Sequence, residues 1–183
     1  AGADFVITQL GYDVRKFAEV VKYMKYRDIS LPILGNVYML SSAVARFMNK
    51  GNVPGCVVTD ELLEVIKEEA KAGDKGKEAR LERAAQFVAI FRGLKFDGAH
   101  IGGFGLKFAD FEHVIKRSED IADNWREYIP NCQYNQKDEY YLFPEDPELS
   151  FDEKKLIPTG ASEKFKKPLH FQMGRAFHKC IFI

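Results

Sequence analysis

Asp4-Phe5-Val6-Ile7-Thr8-Gln9-Leu10-Gly11-Tyr12-Asp13 is a short apolar run that ends in an amide side chain and passes into a glycine-containing turn. Phe17, Val20, Val21 and Met24 then recur at helical spacing, and a second apolar run follows around Leu31–Leu34. Strand, polar loop, helix, strand is the repeating unit of a parallel α/β sheet. Before the first run, Ala1-Gly2-Ala3 carries no initiating Met. A glycine in that place is what ordinarily closes a helix through the left-handed C′ position. The expectation is therefore a further helix, and more of a fold, upstream of Ala1.

The theme repeats along the chain. Asp4–Gln9, Leu31–Tyr38 and Phe96–Phe104 read as strands, each followed by a polar or glycine-rich loop and a helix. Ser41 or Ser42 can cap a helix over Ala43–Lys50 that Gly51 ends, and Thr59 can cap Asp60–Ala72, closed by Gly73. Lys75–Arg92 sets Leu81, Ala84, Ala85, Val88 and Phe91 on one face, as a sheet-covering helix does, with Gly93 as its stop. Lys107–Tyr128 repeats the pattern until Pro130 forbids continuation.

A parallel barrel typically takes eight strands, and an open three-stranded parallel sheet leaves bare edges. The expected fold is accordingly α/β, the C-terminal part of a (β/α)8 TIM-type barrel with parallel strands and covering helices over residues 1–130. A doubly wound open sheet is the alternative. Residues 131–183 lose periodicity and carry Pro144, Pro147, Pro158, Pro168 and the aromatic run Tyr140-Tyr141-Leu142-Phe143. They read as an irregular tail packed on the barrel, with Lys164–Lys167 as its basic patch.

Composition narrows the function classes. Of the 183 residues 46% are hydrophobic and 30% charged, which fits a globular chain and excludes a disordered one. Lys+Arg and Asp+Glu number 27 each, so bulk charge argues for neither nucleic acid nor an anionic membrane surface as partner. The charge run Lys71–Arg83 reads as a solvated helix face. No apolar stretch reaches the roughly 18 residues of a spanning helix, and no signal peptide is visible. Cys56, Cys132 and Cys180 are few, odd in number and far apart, which fits a reduced, cytoplasmic protein.

In either architecture the reactive surface lies at the C-terminal ends of the strands. That selects Gln9 to Asp13, Gly35 to Tyr38 and His100 to Lys107. Gln9 shares its side of the strand with Phe5 and Ile7, which places an amide in an apolar interior. It can meet the paired donor and acceptor edge of a ligand, or bond a neighbouring loop backbone. Asn36 and Tyr38 can line a pocket or organise the loop. His100 can be a satisfied core residue or a proton carrier. Gly102, Gly103 and Gly105 precede a helix, as an anion-binding loop does, and fit a tight turn equally well. Their spacing is not that of a dinucleotide fingerprint. No C-x-x-C, H-E-x-x-H, calcium loop or G-x-S-x-G elbow occurs. No metal is therefore expected; His170, His178 and Cys180 are the one set close enough in sequence to consider.

The opening stretch resembles the I-T-Q-x-x-x-D strand and loop of the methylenetetrahydrofolate reductase family. Leu31–Leu40 (L-P-I-L-G-N-V-Y-M-L), Val53–Glu64 (V-P-G-C-V-V-T-D-E-L-L-E) and Asp97–Gly103 (D-G-A-H-I-G-G) resemble successive segments of one branch of it, in matching order over about residues 1–115. The resemblance implies a (β/α)8 barrel holding FAD at the strand ends and reducing methylenetetrahydrofolate to methyltetrahydrofolate, with electrons from NAD(P)H or another reductant. It implies that Gln9 contacts the pterin and that Tyr12 and Phe104 border the folate or flavin ring, most FAD contacts lying outside this chain. The third strand departs from the family's H-F-Y-T-L-N-R run: here His100 is followed by I-G-G-F-G-L-K. On this reading the 183 residues alone lack turnover and are completed by an upstream half-barrel or by a homo-oligomer. Two other readings stay open: a barrel enzyme taking a phosphorylated substrate at Gly102–Gly105, and a non-catalytic interaction fragment.

Overall fold

Asp13 opens the first helix by accepting from the backbone N–H of Arg15 at 2.9 Å, so the expected Gly11-Tyr12-Asp13 turn doubles as a helix cap. The computed structural model describes residues 2–152 and 155–159. In chain order its elements are β1 (Val6–Ile7), α1 (Val14–Tyr26), β2 (Ile33–Met39), α2 (Ser42–Asn49), α3 (Asp60–Glu69), α4 (Lys77–Gly93), β3 (Gly98–Gly103) and α5 (Phe108–Asp120), followed by 3-10 turns over Ala122–Tyr128 and Pro130–Cys132. Ser41 and Thr59 cap α2 and α3 through their hydroxyl oxygens. Lys164–Lys167, His170, His178 and Cys180 lie outside the described residues.

The strands form one parallel sheet in the order β1-β2-β3. β1 is shorter than the expected Asp4–Gln9 because it leaves the ladder early: Thr8 N–H still donates to Leu34 O, but the N–H of Asn36 turns to the Thr8 hydroxyl instead of a backbone carbonyl. Along β2, burial alternates. Ile33, Gly35, Val37 and Met39 are buried, while Leu34, Asn36 and Tyr38 are half-buried. The register Gly35↔Ala99, Asn36↔His100 and Tyr38↔Gly102 carries that alternation into β3.

The buried side of the sheet packs under α1 and α4. Gly35 is the point of closest approach: a Cβ there would stand 2.2 Å from the Phe91 ring of α4. Phe91 in turn packs edge-to-face on Phe17 of α1 and stacks on Phe96, centroids 4.8 Å apart in both pairs. The opposite face is uncovered among the described residues. Phe5 and Ile7, at the bare edge, are about half exposed. Helices on one face only are the arrangement of a barrel wall; a doubly wound sheet has them on both.

Three expectations about helices are corrected. α4 was expected to present one apolar face, yet Leu81, Ala84, Ala85, Gln86, Phe87, Ala89, Ile90 and Phe91 are all buried, which wraps most of its circumference. The reason is that α4 lies between the sheet and an outer layer of α5 and the 3-10 turns, so its second side is covered too. Gly93 does not stop this helix but is its last residue, and a Cβ there would stand 2.3 Å from the Trp125 indole. The expected single helix over Lys107–Tyr128 breaks after α5, and Asn124 (φ −105°, ψ 21°) kinks the following turn, which seats Trp125 against Gly93.

Between Gln133 and Asp152 the described chain forms no helix or strand and straps the outer surface of α1. Arg15 stacks on the Tyr141 ring at 3.7 Å and donates to Phe143 O; the Phe143 N–H donates to the Glu19 carboxylate at 2.7 Å. Phe143 and Leu149 are buried in the process. Asp146 is also buried, and it accepts from Lys155 at 2.8 Å, from the Ser150 hydroxyl and N–H, and from Lys22 at 3.4 Å.

Candidate functional site

Gln9 lies two residues past β1 and is exposed. Its Nε2 donates to Pro54 O at 3.4 Å, and its Oε1 accepts from the Leu10 N–H at 3.0 Å. A loop-backbone contact is therefore made, as one of the two sequence readings expected. It uses one of the two amide hydrogens and one of the two lone pairs, which leaves the other of each. The same side chain lines a cleft of about 420 Å³ bounded by Thr8–Asp13, by Lys16, Phe17 and Val20 of α1, by Gly55 and Val57, and by Tyr134–Gln136 and Glu139 of the tail. That volume falls in the range of small-molecule clefts, roughly 300–1,000 Å³.

Tyr12 does not stand at the mouth as a free ring. It is 4% exposed, packs edge-to-face on Phe87 and donates its hydroxyl to Tyr38 O at 3.1 Å. Burial pushes its phenol well above the ordinary value, so it stays a neutral donor. Tyr12 thus ties the end of β1 to the end of β2 and forms the floor of the cleft.

Asn36 and His100 come together across β2 and β3. Asn36 Oδ1 lies 3.2 Å from His100 Nδ1. His100 is exposed on the uncovered face and is not a core histidine. Tyr38 stands on the same face, and the neighbouring Gly102 leaves it room.

Gly102 and Gly103 lie inside β3, and packing requires the absence of a side chain at Gly103. A Cβ on Gly103 would stand 2.5 Å from Leu106 and 3.1 Å from Met39, and Gly105 takes the left-handed backbone (φ 70°) that turns the chain into α5. The start of α5 is already occupied by an anion of the protein: Asp110 accepts from the Lys107 N–H at 2.8 Å and pairs with Lys77 at 2.6 Å. Those contacts, the Lys107 N–H first, hold the Asp110 carboxyl below its usual range. The tight-turn reading fits Gly105 alone, since Gly102 and Gly103 are strand residues. Phe104 is 78% exposed and Phe108 88% exposed on either side of that turn.

Sequence reasoning missed Asp13 as a junction. Besides capping α1, its carboxylate accepts from Gln133 Nε2 at 2.6 Å and from the Tyr141 hydroxyl at 2.7 Å. Burial, and then the carboxylate beside it, push the Tyr141 phenol far above its ordinary value. Together with the Tyr134 N–H bond to Tyr12 O, this carries the tail to the Gln9 cleft. No periodicity marks such a segment, so nothing in the sequence announced it; the Pro54-Gly55 turn did carry a signal.

Nucleophilic thiol chemistry has no support at the described cysteines. Cys132 is fully buried and burial pushes its thiol up to about 12; burial also raises Cys56. Among the described residues no three His, Cys, Asp or Glu side chains gather to hold a metal, and no helix is long and apolar enough to cross a membrane.

The comparison with known families completes the picture. The family model described as methylenetetrahydrofolate reductase matches residues 1–100, which includes β1, β2, α4 and the first half of β3 with His100. No curated protein matches the chain significantly. With more than half of its length matched, the chain belongs to the methylenetetrahydrofolate reductase family.

Proposed function

We propose that this chain supplies the folate side of a flavin-dependent reductase that converts methylenetetrahydrofolate to methyltetrahydrofolate. The family is one of oxidoreductases that use FAD. The observation that carries the reading is the position of Gln9: it lies two residues past the first strand of the family-matched stretch, on a ligand-sized cleft, with half of its amide capacity unused among the described residues.

The uncovered sheet face fits a flat cofactor and a flat substrate. It offers amide and imidazole groups at Asn36 and His100 beside the Tyr38 ring, with Gly98 and Gly102 contributing no bulk. Bound flavin supplies the hydride. The chain's own part is to orient the pterin and exclude water, which lowers the barrier by positioning. Gln9 would turn its second N–H and lone pair to the pterin edge, the Tyr12–Tyr38 bond would keep the two strand ends in register, and Phe104 would close over the ring. Electrons come from NAD(P)H or another reductant. The bare β1 edge is what further β/α units of a barrel would cover, so the three strands are read as part of a (β/α)8 barrel that acts in the cytoplasm. The phosphate-binding alternative is disfavoured by Asp110, whose carboxylate holds the start of α5.

The test is Gln9→Leu in the full reductase. Expected is a rise in the KM for methylenetetrahydrofolate, or a fall in kcat, of at least tenfold, with flavin absorbance unchanged; unaltered folate kinetics would remove Gln9 from the site.

A further inference from the structure

We infer that Asn36 fixes the tautomer of His100, so that His100 Nε2 stands on the uncovered sheet face as a hydrogen-bond acceptor for the ring N–H of a planar nitrogen heterocycle. The inference rests on the folate and flavin reading above and adds a residue pair to it.

His100 Nδ1 lies 3.2 Å from Asn36 Oδ1, and because an amide oxygen can only accept, a hydrogen bond between them places the proton on Nδ1. The neutral ring then has its lone pair at Nε2. Two features hold the pair in place. Asn36 and His100 are register partners in the parallel ladder, and the Asn36 backbone N–H is tied to the Thr8 hydroxyl at 3.0 Å, which leaves its position little freedom. The surroundings suit a flat ligand. Gly98 and Gly102 flank His100 on its own face. A Cβ at Gly98 would meet Leu34 Cδ2 at 2.9 Å and one at Gly102 would meet Tyr38 Cδ2 at 3.6 Å. Leu34 and Tyr38 therefore lean over the two glycines, and the imidazole stands between an apolar and an aromatic side chain with a fixed acceptor outward. Nothing in Gln9 duplicates this, because an amide presents donor and acceptor together whereas the fixed imidazole presents an acceptor alone. Pterins and isoalloxazines both carry a ring N–H of the kind it would accept.

The experiment uses the whole 183-residue chain, 15N-labelled, and reads the imidazole nitrogens in long-range proton–nitrogen spectra above the histidine titration. Expected for His100 is protonated Nδ1 and unprotonated Nε2. Asn36→Ala should convert this to a mixture of tautomers, and Asn36→Asp, which keeps an acceptor oxygen, should restore the single form. Protonated Nε2, or a mixture in the unaltered chain, overturns the inference. Added 6-methylpterin and lumiflavin, in separate arms, should displace the His100 Nε2 resonance, and whichever does so identifies the heterocycle. If the Gln9 side-chain amide moves and His100 does not, the inference fails while the folate reading stands. If neither moves with either compound, the folate reading fails and takes the inference with it.

Discussion

Gly35 shows how a single residue can set the distance between two layers. It sits in the middle of β2 with the Phe91 ring where its side chain would be, so the helix can approach the sheet only because nothing projects there. An added methyl cannot be accommodated by a flexible neighbour: Phe91 is fully buried and wedged between Phe17 and Phe96. Gly35→Ala should therefore destabilise the fold by about 1–3 kcal/mol or more, the ordinary cost of overpacking a close-packed core. A urea melt decides it, and an unchanged midpoint would mean that α4 rides over β2 with slack. The proposed folate site would feel the same substitution, because Asn36 and Tyr38 flank Gly35 on the opposite face.

At the scale of elements, α1 is held on two sides by different physics. Val14, Phe17 and Ala18 bury an apolar stripe against α4 and the sheet, whereas Lys22 is buried against the tail through Asp146. Burial by itself would raise the Asp146 carboxyl, but the bonds from Lys155 and Ser150 and the charge of Lys22 outweigh it and hold the group well below the carboxylate range. A carboxylate depressed in the folded state contributes stability above its unfolded value, near pH ~3.9, and loses it as pH falls further. The strap should stay docked between about pH 5 and 7 and loosen progressively as pH falls below about 4 toward the depressed folded-state value, which limited proteolysis by an acid-active protease would register as increasing cutting within residues 133–152. Asp146→Asn should cost about 3–5 kcal/mol by leaving Lys22 buried without its charge partner, while the pair Lys22→Met with Asp146→Leu should recover most of that loss. Equal stability of all three variants in denaturant melts would show that the pair contributes nothing.

For the whole molecule, the decisive feature is a sheet that, among the described residues, is clothed on one side only. Phe5 and Ile7 on the β1 edge, and Val20 and Tyr23 on α1 near it, are exposed apolar side chains beside unpaired strand groups. Edges of that kind associate unless something covers them. The 183-residue chain alone is expected to elute larger than a monomer and to bind a hydrophobic dye, and Ile7→Lys should return it toward a monomer. A monodisperse, dye-silent monomer would count against the partial-barrel reading.

Much of this was written in local pattern. The strand, loop and helix alternation, the Ser41 and Thr59 caps and the I-T-Q stretch depend on neighbours within a few residues, and these the chain specifies by spacing and side-chain type alone. Gln9 at a strand end was legible for that reason. Tyr12 could be placed at the loop but not oriented, because an aromatic directly after a glycine can turn inward or outward, and only the Phe87 ring of a distant helix settles which. Asp13 reads as a turn residue until Gln133 and Tyr141 arrive from the far end of the chain. His100 gained a fixed partner only through the register that sets it opposite Asn36. The amino-acid order determined which segments become strands and helices and which family the chain belongs to, because those follow from short-range periodicity and motif. Which face is bare, which glycines make room for rings and where the tail docks depend on contacts between residues far apart in the chain, and only packing in three dimensions fixes those.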